Sequence, residues 1–285
     1  VRPPEAASRR RSIPASTIAA YGVLLAYAAW SVFPVLWVAL TSFKTNVQAL
    51  AIPPQLVFTP TLANYGGAID RVDDFPRVVF NSLFIAAGST LVIVVLALPA
   101  AYGLSRFVHA RRTAIGATIL SARGFPTIAV AIPLFLLMLN ANLLDTHVSV
   151  IAANVSFSLP FAIWMFYSFI QAVSFEIEEA ALLDGASRLT VLVRIVFPII
   201  IPGVAATAIL VSIVAWREFL YPLVLTSREA RTLPLVVGEF ITAVGTDWGQ
   251  LCAFAVMTIA PVAIFAVFSW KYLVRGFVGG GGVSG

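Results

Sequence analysis

The chain has 285 residues, of which 60% are hydrophobic and only 11% charged, and its mean hydropathy is +0.96. That balance excludes a soluble domain and places the chain among polytopic membrane proteins. The net charge of +5 is no nucleic-acid footprint, because the basic residues lie in short loops and tails, as orientation signals do; the single cysteine, Cys252, sits in an apolar run and excludes an intrachain disulfide or a cysteine metal cluster.

In chain order, Arg2, Arg9, Arg10 and Arg11 precede an uncharged run from Ser12 to Phe43. That run is too long for the apolar part of a cleaved signal and predicts a retained first span. Crossing ~30 Å of hydrocarbon takes about 20 helical residues. Six stretches supply them, near 17–42, 79–104, 114–139, 148–172, 199–225 and 249–273. The expected fold is all-α: a six-helix transmembrane domain at 17–273 between an N-terminal tail, 1–16, and a Gly-rich C-terminal tail, 274–285. With both termini in the cytoplasm, the inner side collects Arg2, Arg9, Arg10, Arg11, Arg106, Arg111, Arg112, Arg188, Arg194, Lys271 and Arg275. The outer side keeps Lys44, Arg71, Arg77, Arg228 and Arg231. The positive-inside rule then makes the loop at 174–198 cytoplasmic. The outer loops from Lys44 to Arg77 and from Thr226 to Trp248 are too short for domains but large enough to form a docking surface.

Polar groups inside spans are expensive and mark candidate functional positions. Arg123 lies about ten residues into the third span, or ~15 Å, where Gly124 and Pro126 interrupt the helix. It either lines a polar route or is tied to backbone carbonyls as a structural group. Asn154, with Ser156, Ser158 and Pro160, breaks the fourth span and suits interhelical hydrogen bonding or a route. Trp216, Arg217, Glu218 and Tyr221 sit toward the outer end of the fifth. They read either as an interfacial belt or as a sugar surface of aromatic faces and charged hydroxyl partners.

Between spans four and five, the only charged cluster from Thr113 to Arg217 reads as a helix, a turn and a second helix. Ser174 is an expected cap, Glu176, Glu178 and Glu179 occupy the first turns, and Ala180 and Ala181 form a thin face. Gly185 turns the chain, Ser187 caps again, and Pro198 and Pro202 mark the return to lipid. The spacing is Glu179-Ala180-Ala181, three residues, Gly185, nine residues, Ile195, one residue, Phe197-Pro198. This resembles the EAA loop of ATP-binding-cassette importers, with Phe197 in place of the usual Leu. The Trp216-Arg217-Glu218-Phe219 segment, where similar permeases often read Trp-Asn-Glu-Phe, and the ending Val274-Arg275-Gly276-Phe277 extend the resemblance to the carbohydrate-uptake permeases of the MalG type. Two departures are Arg217 for the frequent Asn and Ser284 where the family tail commonly has Lys.

The resemblance implies the type I importer transmembrane domain of a bacterial inner-membrane permease. It also implies a homologous second permease, two copies of a cytoplasmic ATPase that hold ATP and Mg, and an extracytoplasmic sugar-binding protein. Glu179, Ala180, Ala181, Asp184, Gly185, Ile195 and Pro198 would couple the chain to the ATPase, and no cofactor or metal is expected on this chain itself. The residues agree that the chain is no motor or hydrolase. Neither Lys44 nor Lys271 follows a glycine, as a phosphate loop requires, and His109 and His147 lie away from Ser187. A permease for a polyol, glycerol phosphate or another small solute is the alternative reading, and a non-transporting scaffold a remote one.

Overall fold

Within a bilayer no water pairs with the backbone, so long apolar segments close their hydrogen bonds internally as helices. The computed structural model describes residues 15–107, 112–242 and 245–280, with side chains at 16–107, 114–242 and 245–271. The basic tail with Arg2, Arg9, Arg10 and Arg11, together with His109, Arg111 and Ser284, lies outside the described residues. The main helices are α1 (Ala15–Thr41), α2 (Phe75–Arg106), α3 (Arg112–Ser121), α4 (Thr127–Asn140), α5 (His147–Gln171), α6 (Phe175–Leu183), α7 (Arg188–Trp216), α8 (Leu220–Leu225), α9 (Leu233–Val237) and α10 (Trp248–Gly280). Among the described residues, α1, α2, α5, α7 and α10 are long and apolar enough to cross a membrane, and the bent pair α3–α4 supplies a sixth crossing if counted as one. A two-residue antiparallel ladder, Ile241–Thr242 with Gly245–Thr246, precedes α10.

Two expected spans differ in detail. The third is not straight: α3 and α4 meet at 87°, across a 3-10 turn at Ala122–Gly124. Pro126 lacks an N–H and pushes Phe125 to extended backbone (φ −71°, ψ 132°), so the ladder stops there. The fifth begins near Arg188 rather than 199 and ends at Trp216 rather than 225. Pro198 and Pro202 therefore lie inside α7 and do not open it. A π-helical segment, Leu192–Val196, loosens the ladder just ahead of Pro198, where a proline ring clashes with a closed α-turn. At the other end the Glu218 carboxylate accepts from the amides of Leu220 (3.0 Å) and Tyr221 (3.3 Å). It thereby starts α8 as a separate helix.

The helices pack with α2 along α5, α7 crossing both, and α10 against α7; α1 touches mainly α10 and stays peripheral. Gly203 sets the closest approach, since a Cβ there would lie 2.5 Å from Phe169 of α5. One apolar cluster joins Ile93, Tyr102, Phe166, Ile170, Leu192 and Val196 at the α6 end of the bundle. Another, with Ile85, Met138, Val150, Tyr221 and Leu225, fills the opposite end of α5.

Candidate functional site

The segment after α5 folds as two helices joined by a sharp elbow. Glu176 and Glu178 occupy the first turn of α6, where carboxylates suit the positive helix end, although the Ser174 side chain makes no capping bond. The helix closes with two reversed bonds, Ala186 N–H to the Ala181 carbonyl (3.0 Å) and Gly185 N–H to that of Leu182 (3.1 Å). That closure requires the left-handed backbone of Gly185, φ +86°, which glycine adopts without steric cost. Ser187 Oγ then accepts from the Thr190 amide and starts α7.

Side chains of the elbow divide into two faces. Glu179, Ala180 and Asp184 point outward with Leu183, 89% exposed, and Leu189, 69% exposed. Ala181, Leu182, Ala186 and Ile195 pack back against the core, so Ala180 and Ala181 do not share one face: successive helical residues are about 100° apart. Pro198 is exposed. Exposed apolar side chains interleaved with acidic ones make this face a candidate contact surface.

The elbow is held from behind by a group that sequence reasoning placed only as a first-turn carboxylate. Glu178 is wholly buried. Its Oε1 accepts from Arg106 Nη2 at 2.6 Å and Nε at 2.9 Å, and its Oε2 accepts from the Tyr102 hydroxyl at 2.9 Å. The same Arg106 donates to the carbonyls of Ile170 (3.0 Å), in the last turn of α5, and Val173 (3.1 Å), just beyond it. Two neighbouring glutamates on one helix cannot face the same way. That was the available signal that Glu178 and Glu179 have different partners.

The in-span candidates do not form one cluster. Arg123 lies with its guanidinium carbon 5.0 Å from the ring centres of both Phe157 and Phe161. Those rings flank the middle of the 25-residue α5, so the charge sits near half its length. Asn154 is buried and donates to Ser89 Oγ at 3.2 Å, bonding α5 to α2. Tyr221 is buried in the far apolar cluster. Trp216 is buried too, with Nε1 donating to the Thr258 carbonyl at 3.1 Å. Trp216 and Arg217 do border one cavity of ≈ 390 Å³ together with Pro234, Val237, Thr258 and Val262, and its walls are almost entirely apolar.

At the opposite end of α5 a second polar knot ties loops together. Asp145, in left-handed backbone, accepts from the amides of Ser227, Arg228, Glu229 and Ala230 and from the Ser227 hydroxyl. Burial alone would raise its carboxyl. The amides of Ser227 and Ala230, the Ser227 hydroxyl and the amide of Arg228 outweigh that and hold it below the ordinary carboxylate range. Arg77 pairs with Glu229 nearby, and Asn81 donates to the carbonyls of Glu229 and Arg231.

Residues 93–277, which carry the elbow and the groups that anchor it, match the profile of the binding-protein-dependent transport system inner membrane component family. The chain belongs to that family. Among related permeases, the sulfoquinovosyl glycerol transport system permease SmoH of Agrobacterium fabrum is 34% identical, over 87% of this chain and 88% of its own. The trehalose/maltose transport system permease MalG of Thermococcus litoralis is 32% identical, over 87% of this chain and 90% of its own. A solved chain from a bacterial ABC transporter that imports the acidic polysaccharide alginate superposes with a TM-score of 0.73, covering 92% of this permease and 99% of that chain. At 22% identity it speaks for the fold. The chain is thus an all-α, multi-pass transport permease with the importer transmembrane fold.

Proposed function

We propose that this permease forms half of the translocation pathway of an ATP-driven importer for a sugar, a disaccharide or oligosaccharide delivered by an extracytoplasmic binding protein. A homologous second permease forms the other half, and two copies of a separate cytoplasmic ATPase hold ATP and Mg. The observation that carries the reading is the α6 elbow: an exposed face of Glu179, Ala180, Leu183, Asp184 and Leu189, turned at Gly185 and anchored to the bundle behind it. Names of relatives that carry saccharide substrates support the sugar class.

In this reading the elbow seats in a cleft of one ATPase subunit. ATP binding favours one arrangement of the ATPase pair, and the two-state shift reaches the helices through the elbow. Both termini and the elbow are cytoplasmic. The knot around Asp145 and the loop before α10 then face the binding protein. Arg123, Trp216, Arg217 and Glu218 are the charged or aromatic groups closest to a route, while Asn154 and Tyr221 stabilise its walls.

The test is Glu179→Lys in the transporter reconstituted with its ATPase, second permease and binding protein, using trehalose and maltose as probe solutes. Reversing a charge on the docking face should lower uptake about tenfold without loss of membrane insertion. Unchanged uptake by that variant would sink the docking assignment.

A further inference from the structure

We infer that Glu178 is a positioning residue that makes α6 and the adjoining ends of α2 and α5 one rigid lever. Force on the elbow then enters the bundle through this clamp rather than only along the chain into α7. The inference rests on the coupling role proposed above and names how that role is transmitted.

Consider the two routes out of α6. The covalent route runs through Gly185, around which a side chain would meet open space, and then through the π-helical turn of α7 ahead of Pro198. That route is a single run of backbone, and its π-helical turn is itself packed into the core through Leu192 and Val196. The non-covalent route is stiff. Arg106, with a side chain 8% exposed, uses a planar fork of donors on Glu178 and on the carbonyls of Ile170 and Val173 at once, and planar charge-assisted bonds fix angle as well as distance. Tyr102, one turn earlier on α2, holds the other carboxylate oxygen. Ser105 accepts from Arg106 Nη1 and from Gln171 Nε2, which closes the clamp between α2 and α5. The Phe175 ring, at the start of α6, lies 5.6 Å from the Arg106 guanidinium carbon.

A buried carboxylate whose partners, Arg106 and Tyr102, both lie on α2 leaves α6 little freedom to turn by itself. The chain between α5 and α6 is only Ala172 to Ser174, so the three elements meet at one joint. α2 and α5 therefore follow α6 as a unit.

The experiment uses the complete transporter in lipid nanodiscs, on a Cys252→Ala background, with spin labels at Leu91→Cys in α2 and Ile177→Cys in α6. Both positions are exposed. Pulsed electron spin resonance measures their separation without nucleotide and after trapping with MgATP and vanadate. With Glu178 present the separation should be the same in both states; with Glu178→Gln it should shift or broaden on trapping, and Glu178→Asp should restore the single separation. A separation that changes on trapping with Glu178 in place overturns the inference, as does a Glu178→Gln variant that behaves like the parent. Co-purification of the ATPase subunit in the same preparation separates the two failures. Where it is present and the separation changes, only the clamp is wrong; where it is absent, the coupling reading fails and the inference with it.

Discussion

The two ends of α5 are both tied down by an acidic residue, but in opposite physical regimes. At one end Glu178 is wholly enclosed and paired with a nearly enclosed Arg106. At the other, Asp145 is partly solvated and satisfied by backbone amides, and the neighbouring Arg77–Glu229 pair is 44% and 54% exposed. The difference teaches which end is built to transmit force. A buried pair cannot be half-broken without large cost, because the group left behind keeps a buried charge with no opposite charge beside it. A solvated one exchanges its partners for water. A stiff joint behind the elbow and a wetter, exchangeable knot at the far loops fit a partner that must push at one end and a partner that must come and go at the other.

The largest expected effect comes from breaking the enclosed pair. Arg106→Ala strands the Glu178 charge and should cost ~3–5 kcal/mol, read as a drop in thermal unfolding temperature of the purified chain in detergent; a cost near zero would erase the contrast between the ends. Next is Asp145→Asn, which keeps the shape but weakens the charged hydrogen bonds, for about 1.5–3 kcal/mol in the same assay. This residue also gives a pH signature. Because its folded carboxyl is held below the ordinary range, its contribution is full above the unfolded carboxylate value and drains away as pH falls through the folded one. Asp145→Asn should therefore flatten the acid limb of the stability curve, and an unaltered limb would assign that titration elsewhere. The smallest effect belongs to Arg77→Ala, where an exposed pair should contribute under about 1 kcal/mol and fade with added salt. A larger loss would mean that the far knot is as rigid as the near one.

Particular residues show why some of this was legible in one dimension. The apolar lengths of α1, α2, α5 and α10 follow from the cost of unpaired backbone in lipid, which is a property of the segment alone. Gly185 was legible as a turn because few other residues take its backbone. Ser187 was legible as a cap for the same local reason, whereas Ser174 had the right type and did not bond. The bend at Phe125 was announced by Gly124 and Pro126, but not its angle, since a proline fixes where a ladder stops and neighbouring helices fix where the chain goes next. Pro198 announced a change in the ladder, but not that a π turn, with Leu192 and Val196 packed into the core, lets the helix begun at Ser187 run through it.

By itself the sequence determined that the chain is helical, that it crosses a membrane several times, and that a charged elbow with the spacing of an importer loop lies between two spans. These rest on hydrophobicity, glycine and spacing, all local quantities. Tertiary structure alone decided that Glu178 turns inward to Arg106 while Glu179 turns outward, that Asn154 bonds to Ser89, and that Arg123 rests between two phenylalanine rings. Those pairings join positions tens of residues apart. Which partner a polar side chain finds is set by how the helices pack, and not by the neighbours it has along the chain.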